Sequence, residues 1–165
     1  MGIRQGAFAA TVVALLFAAA PVASGEEQTT EQTRATYKAA VEPICKRDTL
    51  RSRRILKGAE QRVKHQKLVP AGHQFLHVSR TFGQAIGEIV KVPPPPADAA
   101  RLHKWFKYLR VVKVRFHRLG KFLVHKQRKK ATHESIRAEH TGNAANNVSF
   151  PFGFHYCRLT REHFH

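Results

Sequence analysis

The chain has 165 residues, enough for one ordinary domain, and its 29 Lys and Arg against 11 Asp and Glu give a formal charge of +18. Two cysteines exclude a sulfur-ligated cluster, an all-thiolate zinc site and a disulfide-dense scaffold. Apolar residues recur at regular spacing through most of the chain, which excludes general disorder.

Residues 1–25 read as a secretory signal peptide. Arg4 supplies the positive start, Ala7 to Ala20 form an uncharged run broken only by Thr11, and Pro21 precedes the small residues Ala23, Ser24 and Gly25. The run falls short of the ~18–20 residues that span a bilayer, so a membrane anchor fits it less well. Nothing later in the sequence is apolar enough to span a membrane, and loss of Arg4 leaves the mature chain at +17. Export to an oxidising space makes a Cys45–Cys157 disulfide the expected state, with two buried thiols as the alternative. Closing so long a loop removes roughly 4–5 kcal/mol of unfolded-chain entropy.

Residues 26–36 (EEQTTEQTRAT) are polar and expected to fray, so the folded domain should cover 37–165. Tyr37, Val41, Ile44, Cys45, Ile55, Ala59 and Val63 keep a helical period over roughly 34–66. Pro43 kinks that helix or restarts it, and Gly58 bends it again. Pro70 and Gly72 mark a short turn. Phe75, Phe82, Ile86 and Ile89 form a second stripe at roughly 72–90, which Pro93 to Pro96 end with an extended connector. Asp98 is placed to start a third helix, whose stripe of Leu102, Trp105, Phe106, Leu109, Val112, Phe116, Leu119 and Leu123 is the most amphipathic in the chain. After HKQRKK at 125–130, Thr132 can cap a fourth helix carrying Ile136, His140, Ala144 and Val148. In 149–165 the aromatics Phe150, Phe152, Phe154 and Tyr156 alternate with period two. The expected fold is all-α: a four-helix up-down bundle with an extended C-terminal aromatic tail stapled by one disulfide.

Enzyme signatures are missing from the sequence. There is no Gly-rich phosphate loop and no G-x-S-x-G, and His133-Glu134 does not continue into H-E-x-x-H. Glu162 and His165 have a di-iron spacing but no second unit to pair with. No catalytic residue and no cofactor are expected. Eleven histidines raise the question of metal. His73 and His77, four apart on the second helix, could grip one ion together, although they lie opposite the apolar stripe and read equally as surface imidazoles. His133 with His140, and His163 with His165, are similar pairs without a third ligand. Asn143 and Asn147 lie on or beside the inward stripe of the fourth helix. They either hydrogen-bond the backbone of the aromatic tail or, with Tyr156 and Arg158, line a small ligand pocket.

The basic surplus is the main functional signal. On the first helix it includes Arg51 and Arg54. On the third it includes Lys104, Lys107, Lys113 and Arg118, mostly away from the apolar stripe, and it continues through Lys126, Arg128, Lys129 and Lys130. Part of this is a solvated face, but +17 exceeds the magnitude of ~2–8 that solubility needs. Such a field attracts polyanions. Outside the cell these are envelope polymers, lipid headgroups and nucleic acid, bound without sequence readout and weakened by salt.

The segments PICK around Cys45 and FPFGFHYCR around Cys157 resemble a group of small exported helical proteins of actinobacteria. The resemblance spans about residues 35–160. It implies a bacterial envelope or exterior and carries over no catalytic residue.

Overall fold

A computed structural model describes residues 30–160. The signal segment, residues 26–29 and the histidines at 163 and 165 lie outside the described residues. Within them the regular structure is helical: α1 Thr30–Leu56, α2 Ala59–Lys64, α3 Leu68–Ile89, α4 Ala99–Val124 and α5 Arg128–Ser149, with 3-10 turns at Pro96–Asp98 and Phe150–Phe152. The all-α expectation is therefore met with four long helices and one short one. α1 packs on α3, α3 on α4 and α4 on α5, while α1 and α5 make no extensive contact with each other.

The predicted first helix divides at Gly58, whose φ of +75° is open to glycine without strain. The carbonyls left over at the end of α1 are taken up by side chains: Gln74 Nε2 donates to Ile55 O at 2.5 Å and Arg62 Nη1 to Lys57 O at 2.9 Å. Pro43 does not break α1; the helix runs through it with one backbone donor missing. α1 also begins at Thr30, so residues 30–36 are helical rather than frayed. Arg34 anchors this first turn and a half, donating to both carboxylate oxygens of Asp98 at 2.6 and 2.8 Å.

The turn placed at Pro70 and Gly72 is also corrected, because both lie inside α3. Proline is tolerated in a first turn, where its missing N–H would have had no partner. The chain actually reverses at Gln66. It reverses again at Lys126, and both residues are left-handed, with φ of 59° and 56°. At the first reversal the N–H of Gln66 bonds Val63 O and that of Lys67 bonds Arg62 O. At the second, Lys126 bonds Leu123 O and Gln127 bonds Phe122 O. These are paired Schellman closures made without glycine. Thr132 does not cap α5. It sits one turn inside, its hydroxyl donating to Arg128 O.

One apolar core joins Tyr37 and Val41 of α1, Phe82 and Ile86 of α3, Leu102 and Trp105 of α4, and Phe152 and Phe154 after α5. Burial pushes the Tyr37 phenol up to about 12. α3 and α4 cross at Gly72 and Gly120. A Cβ on either glycine would fall 2.7 or 2.8 Å from the other's carbonyl oxygen, so the backbones touch. α5 buries the small residues Ala131, Ala138 and Ala145 as it packs closely on α4, while Gly142 faces Leu159 of the C-terminal segment.

The segment after α5 is not an extended aromatic stretch. Phe150–Phe152 form a 3-10 turn with Pro151 near its start, and Gly153 turns left-handed at φ 57°. The period-two alternation fails with it: Phe150 is 80% exposed, whereas Phe152 and Phe154 are buried and stacked at 5.2 Å. The disulfide is formed between Cys45 and Cys157, with Cα atoms 5.0 Å apart.

Candidate functional site

Three places carry the sequence-predicted residues. The first is a basic strip. Along α4 the buried residues Leu102, Trp105, Leu109, Val112, Leu119 and Leu123 take one side. Lys104, Lys107 and Arg118 follow steps that place them on the opposite side, and all three are exposed. Exposed Lys126, Arg128, Lys129 and Lys130 continue the strip through the reversal into α5. None of these seven has an acidic partner within 4.0 Å among the described residues. Lys130 lies 6.0 Å above the Phe122 ring.

The acids are engaged elsewhere. Asp98, 2% exposed, holds Arg34 and Arg101. The Arg34 hydrogen bonds keep its carboxyl below the usual carboxylate range. Glu134, also buried, holds Arg115 at 3.1 Å and Arg137 at 3.9 Å. Glu88 pairs with Arg47 and Glu60 with Lys64. Glu42 accepts the backbone N–H groups of His155 and Tyr156 at 2.6 and 3.0 Å. Glu42 thus clasps the C-terminal segment beside the disulfide, a role the sequence gave no sign of beyond its place three residues before Cys45.

The remaining predicted polyanion residues do not join the strip. Lys113 leans on α3, where its Cε would lie 3.0 Å from a Cβ at Gly83. Arg51 and Arg54 flank a second place, a cleft of about 580 Å³ between α1 and α3. Arg51 donates to Gln84 there. The half-buried Asp48 also lines it, and burial together with the nearby Glu88 pushes its carboxyl up to about 6 against the opposing pull of Arg51. His77 reaches the rim of this cleft; His73 does not. Both are exposed, and among the described residues no cluster of three metal-ligating side chains forms.

The third place is a groove of about 1,120 Å³ between α1–α2 on one side and α5 on the other, closed at the C-terminal segment. Of the four residues predicted to line a ligand pocket, it brings together Asn143 and Arg158. Asn147 is exposed outside it, and Tyr156 packs against His155 and under Lys46. The amide that binds the C-terminal backbone is Asn146. It accepts from Leu159 N–H at 2.8 Å and donates to Leu159 O at 3.0 Å. Comparison of the chain with protein families, curated proteins and solved structures finds no match.

Proposed function

We propose that this is an exported, non-enzymatic, strongly basic helical protein that holds an anionic polymer or surface by electrostatics. One observation carries the reading: the α4 strip and the reversal after it present seven exposed cations that no carboxylate among the described residues neutralises. Envelope polymer, lipid headgroup and nucleic acid share the repeated negative charge such a strip attracts. Export is supported by the character of residues 1–25, by a disulfide suited to an oxidising space, and by the resemblance of the PICK and FPFGFHYCR segments to exported actinobacterial proteins. The short connectors at 57–58, 65–67 and 125–127 support an up-down course for the long helices.

Duplex DNA serves as the test polyanion. Binding should weaken linearly in a log–log plot against NaCl, and a Lys104→Gln/Lys107→Gln/Arg118→Gln variant should lower the slope by about 3. Binding that ignores salt, or a triple variant with the parent's slope, defeats the reading.

A further inference from the structure

We infer that the groove between α1–α2 and α5 binds a long-chain fatty acid, the chain along α4 and the carboxylate held by the cationic walls. The groove exists because α5 packs closely on α4 through small residues instead of reaching across to α1. The C-terminal segment closes one stretch of the gap through the Asn146 clamp on Leu159 and leaves the rest open. Its floor on α4 runs from Val112 through Phe116 and Leu119 to Leu123. Eleven helical steps make this roughly 16 Å long. An apolar floor of that length suits an extended acyl chain better than a compact ring system. The volume of about 1,120 Å³ is ample beside the ~300–1,000 Å³ of ordinary ligand sites.

The walls set the sign of the ligand. Arg53 and Arg54 come from α1, Lys57 from the connector after it, Arg128 from α5 and Arg158 from the C-terminal segment. Two carboxylates share the lining, Glu60, paired with Lys64, and Glu139, which has a partner of its own, as do Arg53 and Arg158. A single carboxylate entering beside Arg54, Lys57 and Arg128 gains charge-assisted hydrogen bonds. The Thr160 hydroxyl, also on the lining, is buried without a hydrogen-bond partner among the described residues and offers one more donor.

Lys104, Lys107 and Arg118 lie on the opposite side of α4 from the groove floor; of the strip's cations, Arg128 also lines the groove. Calorimetric titration of the oxidised protein with palmitate, below its self-association, should give saturable one-to-one binding. Each methylene removed should weaken it about fourfold, so myristate binds at least tenfold more weakly. Ser135→Trp places an indole in the groove from an exposed position and should abolish binding while the DNA salt slope stays unchanged. Thr132→Trp is the second blocking variant should Ser135→Trp fail to fold by circular dichroism. Arg54→Gln/Lys57→Gln should weaken palmitate at least tenfold and leave hexadecanol unaffected. Absence of saturable palmitate binding, binding that survives the folded blocking variants, or binding only to anionic vesicles would each overturn the inference, whatever the DNA experiment shows.

Discussion

The crossing of α3 over α4 gives a sharp test of the packing. In Gly120→Ala the new Cβ would meet Gly72 O at 2.8 Å, Leu76 Cγ at 2.8 Å and Leu76 N at 2.9 Å, where ordinary contact begins at 3.4 Å. Two of the three obstacles are backbone, so no side-chain rotation relieves them. The helices must part by about half an ångström, and gaps of that size forfeit roughly a quarter of the contact energy around them. Leu68, Ala71, Leu119 and Leu123 surround the crossing and would feel the gap. Overpacking of this kind costs ~1–3 kcal/mol. Replacing a helical glycine returns up to ~1 kcal/mol of propensity. With the propensity returned in full the net loss is about 0–2 kcal/mol, a fall of up to roughly 8 °C in Tm for a domain of this size. Urea melts followed by circular dichroism with the disulfide intact would measure it. Gly87→Ala is the control, since nothing lies within 4 Å of its Cβ and it should gain a few tenths of a kcal/mol. The double variant Gly72→Ala/Gly120→Ala should lose less than the sum of the singles, because the helices part only once. A Gly120→Ala protein as stable as Gly87→Ala would refute the close crossing.

Reduction of Cys45–Cys157, which spans a separation of 112 residues, should lower stability by about 4.8 kcal/mol on the loop-entropy account, read as a shift of the urea midpoint. Lys126→Gly should stabilise by about 0.5–1 kcal/mol, because φ of 56° strains a lysine and not a glycine; no gain in Tm would contradict the second Schellman closure. Asp48 has a folded pKa near 6, above its unfolded value of 3.8, so the native state binds the extra proton between these limits and stability falls as pH rises through that window. Asp48→Asn should therefore match the parent near pH 4 and exceed it at pH 7 by at most ~3 kcal/mol. Urea melts at both pH values check this, and a constant difference would count against the burial of Asp48.

Legibility in the sequence followed residue chemistry. α4 was plain because its core residues are large and spaced by threes and fours. The start of α5 is hard to read because its buried residues are Ala, Gly, Ser and one Glu, which carry no apolar stripe, and its first turn is Arg128-Lys129-Lys130. The reversal at Gln66 is hidden, since glycine would have announced a turn there, whereas the one at Lys126 falls inside HKQRKK, where the sequence places the connector. Pro70 and Gly72 misled in the opposite sense: one is a first-turn proline and the other exists for the backbone contact with Gly120. For Asn143 and Asn147 the sequence leaves hydrogen bonds to the C-terminal backbone and a ligand pocket as alternatives; the amide that bonds that backbone is Asn146. The disulfide needed only the cysteine count and the inferred compartment.

The placement of the acids bears on what the strip is for. Asp98, Glu134 and Glu42 hold helix ends, helix pairs and the C-terminal backbone, so the few carboxylates are consumed by architecture. Lys104, Lys107 and Arg118 of α4 take no part in that network, unlike Arg101 and Arg115. Lys104 and Lys107 stand one turn apart, well inside the ~10 Å screening length at 0.1 M salt, and so repel each other in the folded state. If the strip served folding, Lys107→Gln would destabilise the protein. If it is an unpaired surface carried at some cost in self-repulsion, the same change should raise stability by about 0.2–0.5 kcal/mol at low salt, and the gain should vanish at high salt. Urea melts of parent and variant at both ionic strengths separate the two cases, and a loss at low salt would mean that the charge belongs to the fold rather than to a partner.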